Sequence, residues 1–150
     1  MAVAVFRQPT IQGEAVAETE KGGVRLLVTW TRLPPGKHGF HIHRAGDLRG
    51  EGCKHACDHW HVGAPVDHGG PRSKERHTGD LGNVEIRSSA SESKYSYFLK
   101  GVTPADLWGR ALIVHADEDD LGRGSHEDSK KTGNSGARIG CAIFGRMKGC

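Results

Sequence analysis

Residues 23–33 read GVRLLVTWTRL. In an extended chain successive side chains point to opposite faces, so Val24, Leu26, Val28 and Trp30 share one face. This alternation is the signature of a strand with one buried side. Seven further short apolar or alternating runs surround it: AVAVF (2–6), EAVAET (14–19), HGFHIH (38–43), GNVEIRS (82–88), YSYFLKG (95–101), RALIVHA (110–116) and RIGCAIFGR (138–146). Turn residues separate them. The pattern predicts about eight strands and an all-β, antiparallel sandwich or barrel.

Composition agrees with that class. The chain has 150 residues, 35% of them hydrophobic, and 22 glycines. This suits one domain, residues 1–150, with a single core and many turns. The net charge of +3 has no dense basic stripe behind it, so nucleic acid is not an expected partner. No apolar run approaches membrane-spanning length. The start, MAVAVFRQ, lacks the basic, apolar and cleavage regions of a signal peptide, which predicts a cytoplasmic protein. Four cysteines, Cys53, Cys57, Cys141 and Cys150, are too few for a disulfide scaffold. Two polar stretches fit no strand, 45–79 and 117–137. Loops of that length inside a compact domain usually carry function.

Histidine marks where that function lies. HGFHIHR (38–44) holds three of the ten histidines. Strand parity puts His38 with Phe40 and Ile42 toward the core, as a buried ring bonded to backbone. His41 and His43 share the other face, with Cβ atoms roughly 6.5 to 7 Å apart, a spacing that lets two imidazoles converge on one metal ion. His59, His61, His68 and His77 follow in the long loop, with Asp80 at its end. Nitrogen ligands with one carboxylate suit zinc. His115 closes the run RALIVHA, where a side chain can reach a site at the sheet edge.

With these residues in view, the sequence resembles the copper/zinc superoxide dismutase family over nearly its whole length. The motifs are GFHIH (39–43), HGGPRSKERHTGDLGN (68–83), GRALIVHADEDDLGRG (109–124) and TGNSGARIGC (132–141). The resemblance implies an eight-stranded antiparallel Greek-key β-barrel, a flattened sandwich with two long functional loops. It implies one copper per subunit on His41, His43, His59 and His115, and one zinc on His59, His68, His77 and Asp80. His59 would bridge the two. Asp119 would link a copper-side histidine to a zinc-side one and fix both rings. Arg138 would bind and orient a small anion, and Thr132, Lys130 and Lys131 would shape the channel beside Glu127 and Asp128. Cys53 and Cys141 would form a disulfide closing a loop of about 90 residues, a stabilisation of roughly 4 to 5 kcal/mol in a chain-entropy account. Cys57 and Cys150 would be free thiols. The implied reaction converts superoxide to oxygen and hydrogen peroxide through a copper redox cycle with a structural zinc. His59 acts as catalytic proton carrier in that cycle.

One stretch departs from the family pattern. In CDHWHVGAPVDHGG (57–70) Asp58 precedes His59 where the family has proline. Trp60 and His61 follow it where the family has phenylalanine and asparagine, and one extra residue precedes His68. His61 is therefore a second candidate for the bridge. His55 and His126 have no counterpart in the motifs and are expected on the surface. The family also implies a homodimer, with contacts near Val3, Val5, Gly46 and Trp108. Arg146 stands where an apolar contact is usual. A copper chaperone is a further implied partner. A metal-delivery protein or a barrel with zinc alone would use the same fold, but the joint presence of His41, His43 and His115 argues against both.

Overall fold

The computed structural model describes residues 1–149. Two antiparallel sheets face each other. The first contains β1 (Ala2–Arg7), β2 (Gln12–Glu20), β3 (Gly23–Arg32), β6 (Ser93–Lys100) and the short β9 (Gly145–Arg146), in the order β6-β3-β2-β1-β9. The second contains β4 (His38–His43), β5 (Asp80–Val84), β7 (Ala111–His115) and β8 (Arg138–Ile143), in the order β5-β4-β7-β8. The chain crosses between sheets after β3, after β5, after β6 and after β8. This is the expected Greek-key connectivity, as a flattened sandwich of two sheets.

The expected alternation holds along β3. Val24, Leu26, Val28 and Trp30 are buried, and Leu27 between them is 44% exposed. They meet Phe6, Phe40 and Leu112 in one core between the sheets. Aromatic rings tie the layers together: Trp30 lies 4.9 Å from Phe6 and 5.2 Å from Phe40, centroid to centroid. Such tilted and edge-on pairs add about 0.5–1.5 kcal/mol each beyond area burial.

Two boundaries differ from expectation. The run 138–146 is not one strand. Phe144 turns its side chain into the core and its backbone bonds to Arg110 and Gly109, so β8 stays in the second sheet while β9 joins the first. The last stretch thus adds a ninth strand and stitches the two sheets together. The run 82–88 pairs only as Asp80–Val84. Beyond it the Glu85 N–H is taken by the Tyr95 hydroxyl at 3.0 Å instead of by a strand.

The two polar stretches are long excursions, as expected. The first contains a 3₁₀ turn, Lys54–Ala56, and the second a single helical turn, α2 (Ser129–Thr132). A further turn, α1 (Pro104–Leu107), precedes β7. Cys53 and Cys141 are joined by a disulfide that ties the first excursion to β8. Cys57 is an exposed free thiol. Cys150 lies outside the described residues.

Candidate metal centre

Strand β4 mounts the site. All six of its residues are buried. Phe40 and Ile42 enter the core, while His41 and His43 face the loops that cover the sheet's outer side. His38 is buried with its ring nitrogens 2.9 Å from the His115 carbonyl and 3.0 Å from that of Pro34. It is the backbone-bonded core histidine that strand parity predicts.

His41 and His43 meet His115 from the neighbouring β7, which pairs with β4 in register. His59 joins them from the first long loop, held by a bridge to His43. His41, His43, His59 and His115 each offer a ring nitrogen, and the four atoms lie within 4.8 Å of one another. A second group follows the same rule: His59, His68, His77 and Asp80. His59 belongs to both. His61 belongs to neither. Its Nδ1 accepts the Thr78 backbone N–H at 3.1 Å, and its ring sits beyond His77, 5.7 Å away. His55 and His126 are exposed.

The donor chemistry of the first group fits a metal. Each ring is tied at one nitrogen: His41 Nε2 to Asp119 at 2.6 Å, His43 Nδ1 to the Cys57 carbonyl at 2.8 Å, His59 Nδ1 to Asp80 at 2.8 Å, and His115 Nδ1 to the Gly136 carbonyl at 3.0 Å. The opposite nitrogen of each is buried and has no hydrogen-bond partner. Four bare nitrogens in one dry spot would be costly without a ligand to share. Burial, reinforced by the neighbouring rings, pushes His43 down to about 2, His115 down to about 4, and His41 well below its ordinary value. All three are therefore neutral lone-pair donors at physiological pH.

The second group fits a dication for a different reason. Asp80 Oδ1 lies 2.8 Å from His59 Nδ1, 2.9 Å from His68 Nδ1 and 3.3 Å from His77 Nδ1. The His68 contact is outside hydrogen-bonding geometry, and that nitrogen is bare. Burial opposes the Asp80 charge, but His59, His68 and His77 outweigh it and hold the carboxyl far below the usual range. Three imidazoles around one buried carboxylate is a set that zinc takes directly.

Asp119 joins the halves. Its carboxylate is 2.6 Å from His41 Nε2 and 2.8 Å from His68 Nε2. Two residues without an assigned role in the motifs hold it there. Asn83 bonds the Asp119 backbone both ways, at 2.9 and 2.7 Å. Gly133, at φ 75°, leaves room for the Asp119 carboxylate and the His68 ring, which a Cβ would strike at 1.9 and 2.6 Å. Both stand inside the quoted motifs, but nothing in their spacing points to Asp119.

Arg138 begins β8 opposite His115. It donates to the Cys53 carbonyl at 2.8 Å and also to that of Cys57, the carbonyl that holds His43. Lys130, Lys131 and Thr132 line a cleft of about 310 Å³ over His59 and His77, together with Asp58 and Asp67. The expected channel residues are thus gathered, though Arg138 approaches from the β8 side, not from this cleft.

Comparison with known proteins agrees with this chemistry. The family model for copper/zinc superoxide dismutase (SODC) matches residues 11–144. The chain belongs to the copper/zinc superoxide dismutase family. A Cu-Zn superoxide dismutase of Paramecium bursaria Chlorella virus 1 is 44% identical over 151 residues, covering 98% of this chain and 79% of its own. An extracellular Cu-Zn superoxide dismutase of Drosophila melanogaster is 46% identical over 124 residues, covering 81% of this chain and 67% of its own. The crystal structure of the clock protein EA4 superposes with a TM-score of 0.85 at 38% identity, covering 96% of this chain and 92% of the other. Superoxide dismutase is accordingly the activity of this family member, with copper and zinc as its metals.

Proposed function

We propose that this protein, as one domain over residues 1–150, dismutes superoxide at a copper held by His41, His43, His59 and His115. The adjoining zinc is held by His59, His68, His77 and Asp80, with one of each metal per subunit. The observation that carries this assignment is the set of four buried nitrogens without partners, each on a ring anchored at its other nitrogen. Bound copper supplies a one-electron couple, and zinc a fixed divalent charge without redox chemistry.

The chain's own residues do the rest. His59 Nε2 faces the copper-side group while Nδ1 is held beside Asp80, so Nε2 is the atom that takes up and returns a proton. Arg138 attracts and orients the small anion, its guanidinium fixed by backbone carbonyls. Lys130, Lys131 and Thr132 bound the approach. Asp119 keeps the His41 and His68 rings in the tautomer that leaves their Nδ1 atoms free.

The assembly is a homodimer, and a copper chaperone is its further partner. Val5 and Trp108 are exposed apolar side chains at the expected contact, and Arg146 lies over the Trp108 ring at 5.4 Å, so Arg146 must move or share that ring in the interface. Mass in solution at micromolar concentration tests it. A cytoplasmic location belongs to the same proposal. Among the described residues no helix is long and apolar enough to cross a membrane. One relative is named as extracellular, so fractionation of the source cells is the test.

The ligand assignment is tested by copper and zinc content beside the catalytic rate on one preparation. With cobalt in the zinc site, His59→Ala removes the magnetic coupling between metals and His61→Ala leaves it. The opposite result assigns the bridge to His61 and overturns this reading.

A further inference from the structure

Asp58 stands directly before His59, and Arg44 directly after His43. The Arg44 N–H donates to the Asp58 carbonyl at 3.0 Å, which lays the two segments side by side. Their side chains form an ion pair through Arg44 Nε and Asp58 Oδ1. Both are largely exposed, 57% and 72%, so the pair adds little to stability and both charges face solvent, where their fields add.

Those surroundings are two open clefts that reach His59 and His77. Asp58 lines two clefts that flank His59. One it shares with Arg44, His61 and His77; the other it shares with Asp67, Lys130, Lys131 and Thr132. The residue before it, Cys57, gives its carbonyl to Arg138. Burial lowers the Arg138 pKa, while Cys57 and Asp58 act to raise it, so the carboxylate is felt at the guanidinium.

We propose that Asp58 sets the field at the mouth of the site: its negative charge slows the entry of small anions, and Arg44 offsets it. The inference rests on the superoxide dismutase reading of the centre. Neither charge touches the reacting atoms, so both act on encounter alone. A unit charge roughly 10 Å from the path in water changes an encounter rate by about twofold, and salt screens it.

The test uses the metal-loaded enzyme, with copper and zinc content measured for every variant. At low ionic strength Asp58→Asn should raise kcat/KM about twofold and Arg44→Gln should lower it about twofold. The double variant should return to the parent rate, and Asp58→Glu should keep it. All differences should vanish at about 0.5 M salt, beyond the reach of screened charges. Azide should bind Asp58→Asn more tightly than the parent in an optical titration. The proposal is overturned if Asp58→Asn leaves or lowers the rate at low salt. It is equally overturned if the difference persists at high salt, because the residue then acts through structure. A fully loaded parent with no dismutase activity defeats the underlying reading instead, and the azide titration still decides the charge effect.

Discussion

Along β3 every second side chain is buried, whereas all six residues of β4 and all five of β7 in the facing sheet are. The first sheet has one wet face and one dry face. The middle of the second, β4 and β7, is dry on both, because the loops after β4 and β7 fold back over its outer side, while Ile139 and Ile143 of the edge strand β8 stay exposed. That difference separates two jobs. The space between the sheets is filled with aliphatic and aromatic side chains and holds the fold. The space between the second sheet and its loops holds the imidazoles and two aspartates, and with them the chemistry, beside a small apolar cluster of Cys53, Ala56, Ala111 and Ile113. A polar cluster of this kind would be ruinous in the first space, and it is tolerated in the second because nearly every polar atom has a partner or a metal to meet.

The sharpest way to break this division is to damage one space and look for harm in the other. Trp30→Ala should cost about 3–5 kcal/mol in denaturant unfolding, since it empties the centre of the aromatic cluster. Copper and zinc per folded chain should stay at one each. Loss of metal from molecules that are still folded would show that the two spaces are not independent.

Asp119→Ala works from the other side. It should weaken metal binding by about 10–100-fold in competition titrations with a chelator, because the His41 and His68 rings lose their common anchor. Core packing should change little. Unaltered affinity for both metals would mean that the rings are held by burial alone.

Acid and base sharpen the contrast further, because every shifted histidine lies in the second space. In metal-free protein His43 and His115 resist protonation down to about 2 and about 4, while the unfolded chain takes up protons below roughly 6.5. The unfolded state then binds more protons, and stability should fall as pH drops from about 6.5 toward 4. His68 runs the other way. Burial works against its charge, but Asp119 and Asp80 outweigh burial and push it up to about 9. Its contribution is complete below about 6.5 and is lost as pH rises through 9. Unfolding midpoints of the metal-free protein should therefore peak near pH 6.5, and metal loading should remove the decline above it. A profile without that peak would place these histidines in water rather than in a closed compartment.

The smallest effect belongs to the wet face. Leu27→Ser should change unfolding free energy by no more than about 0.5 kcal/mol and leave metals and rate alone. A larger loss would mean that this face is covered in solution.

The same division explains what could be read from the chain. The first sheet is legible because a half-buried strand must alternate, as residues 24–30 do. In β4 alternation is invisible as hydrophobicity, since both faces are buried, yet it survives as histidine parity: His41 and His43 on one side, Phe40 and Ile42 on the other. The metal groups were legible through that parity and through motif resemblance. Asn83 and Gly133 were not, because one acts through a backbone and the other through the absence of a side chain. The break at Phe144 was hidden by a continuous apolar run, where only the switch of sheets separates two strands. The ion pair of Arg44 and Asp58 joins residues 14 apart whose proximity exists only once the bridge of His43 to His59 has formed.

His59 and Asp80 are 21 residues apart, while His41 and Asp119 are separated by 78. Closing the shorter span costs less chain entropy, so the donors from 59 to 80 can gather before β7 has found β4. The four nitrogens of the other group have no such freedom: three come from β4 and β7, which meet only when those two strands pair. One half of the centre can be present in a chain still searching for its fold, and the other arrives with the fold itself. The shared ring of His59 joins the short closure to the long one.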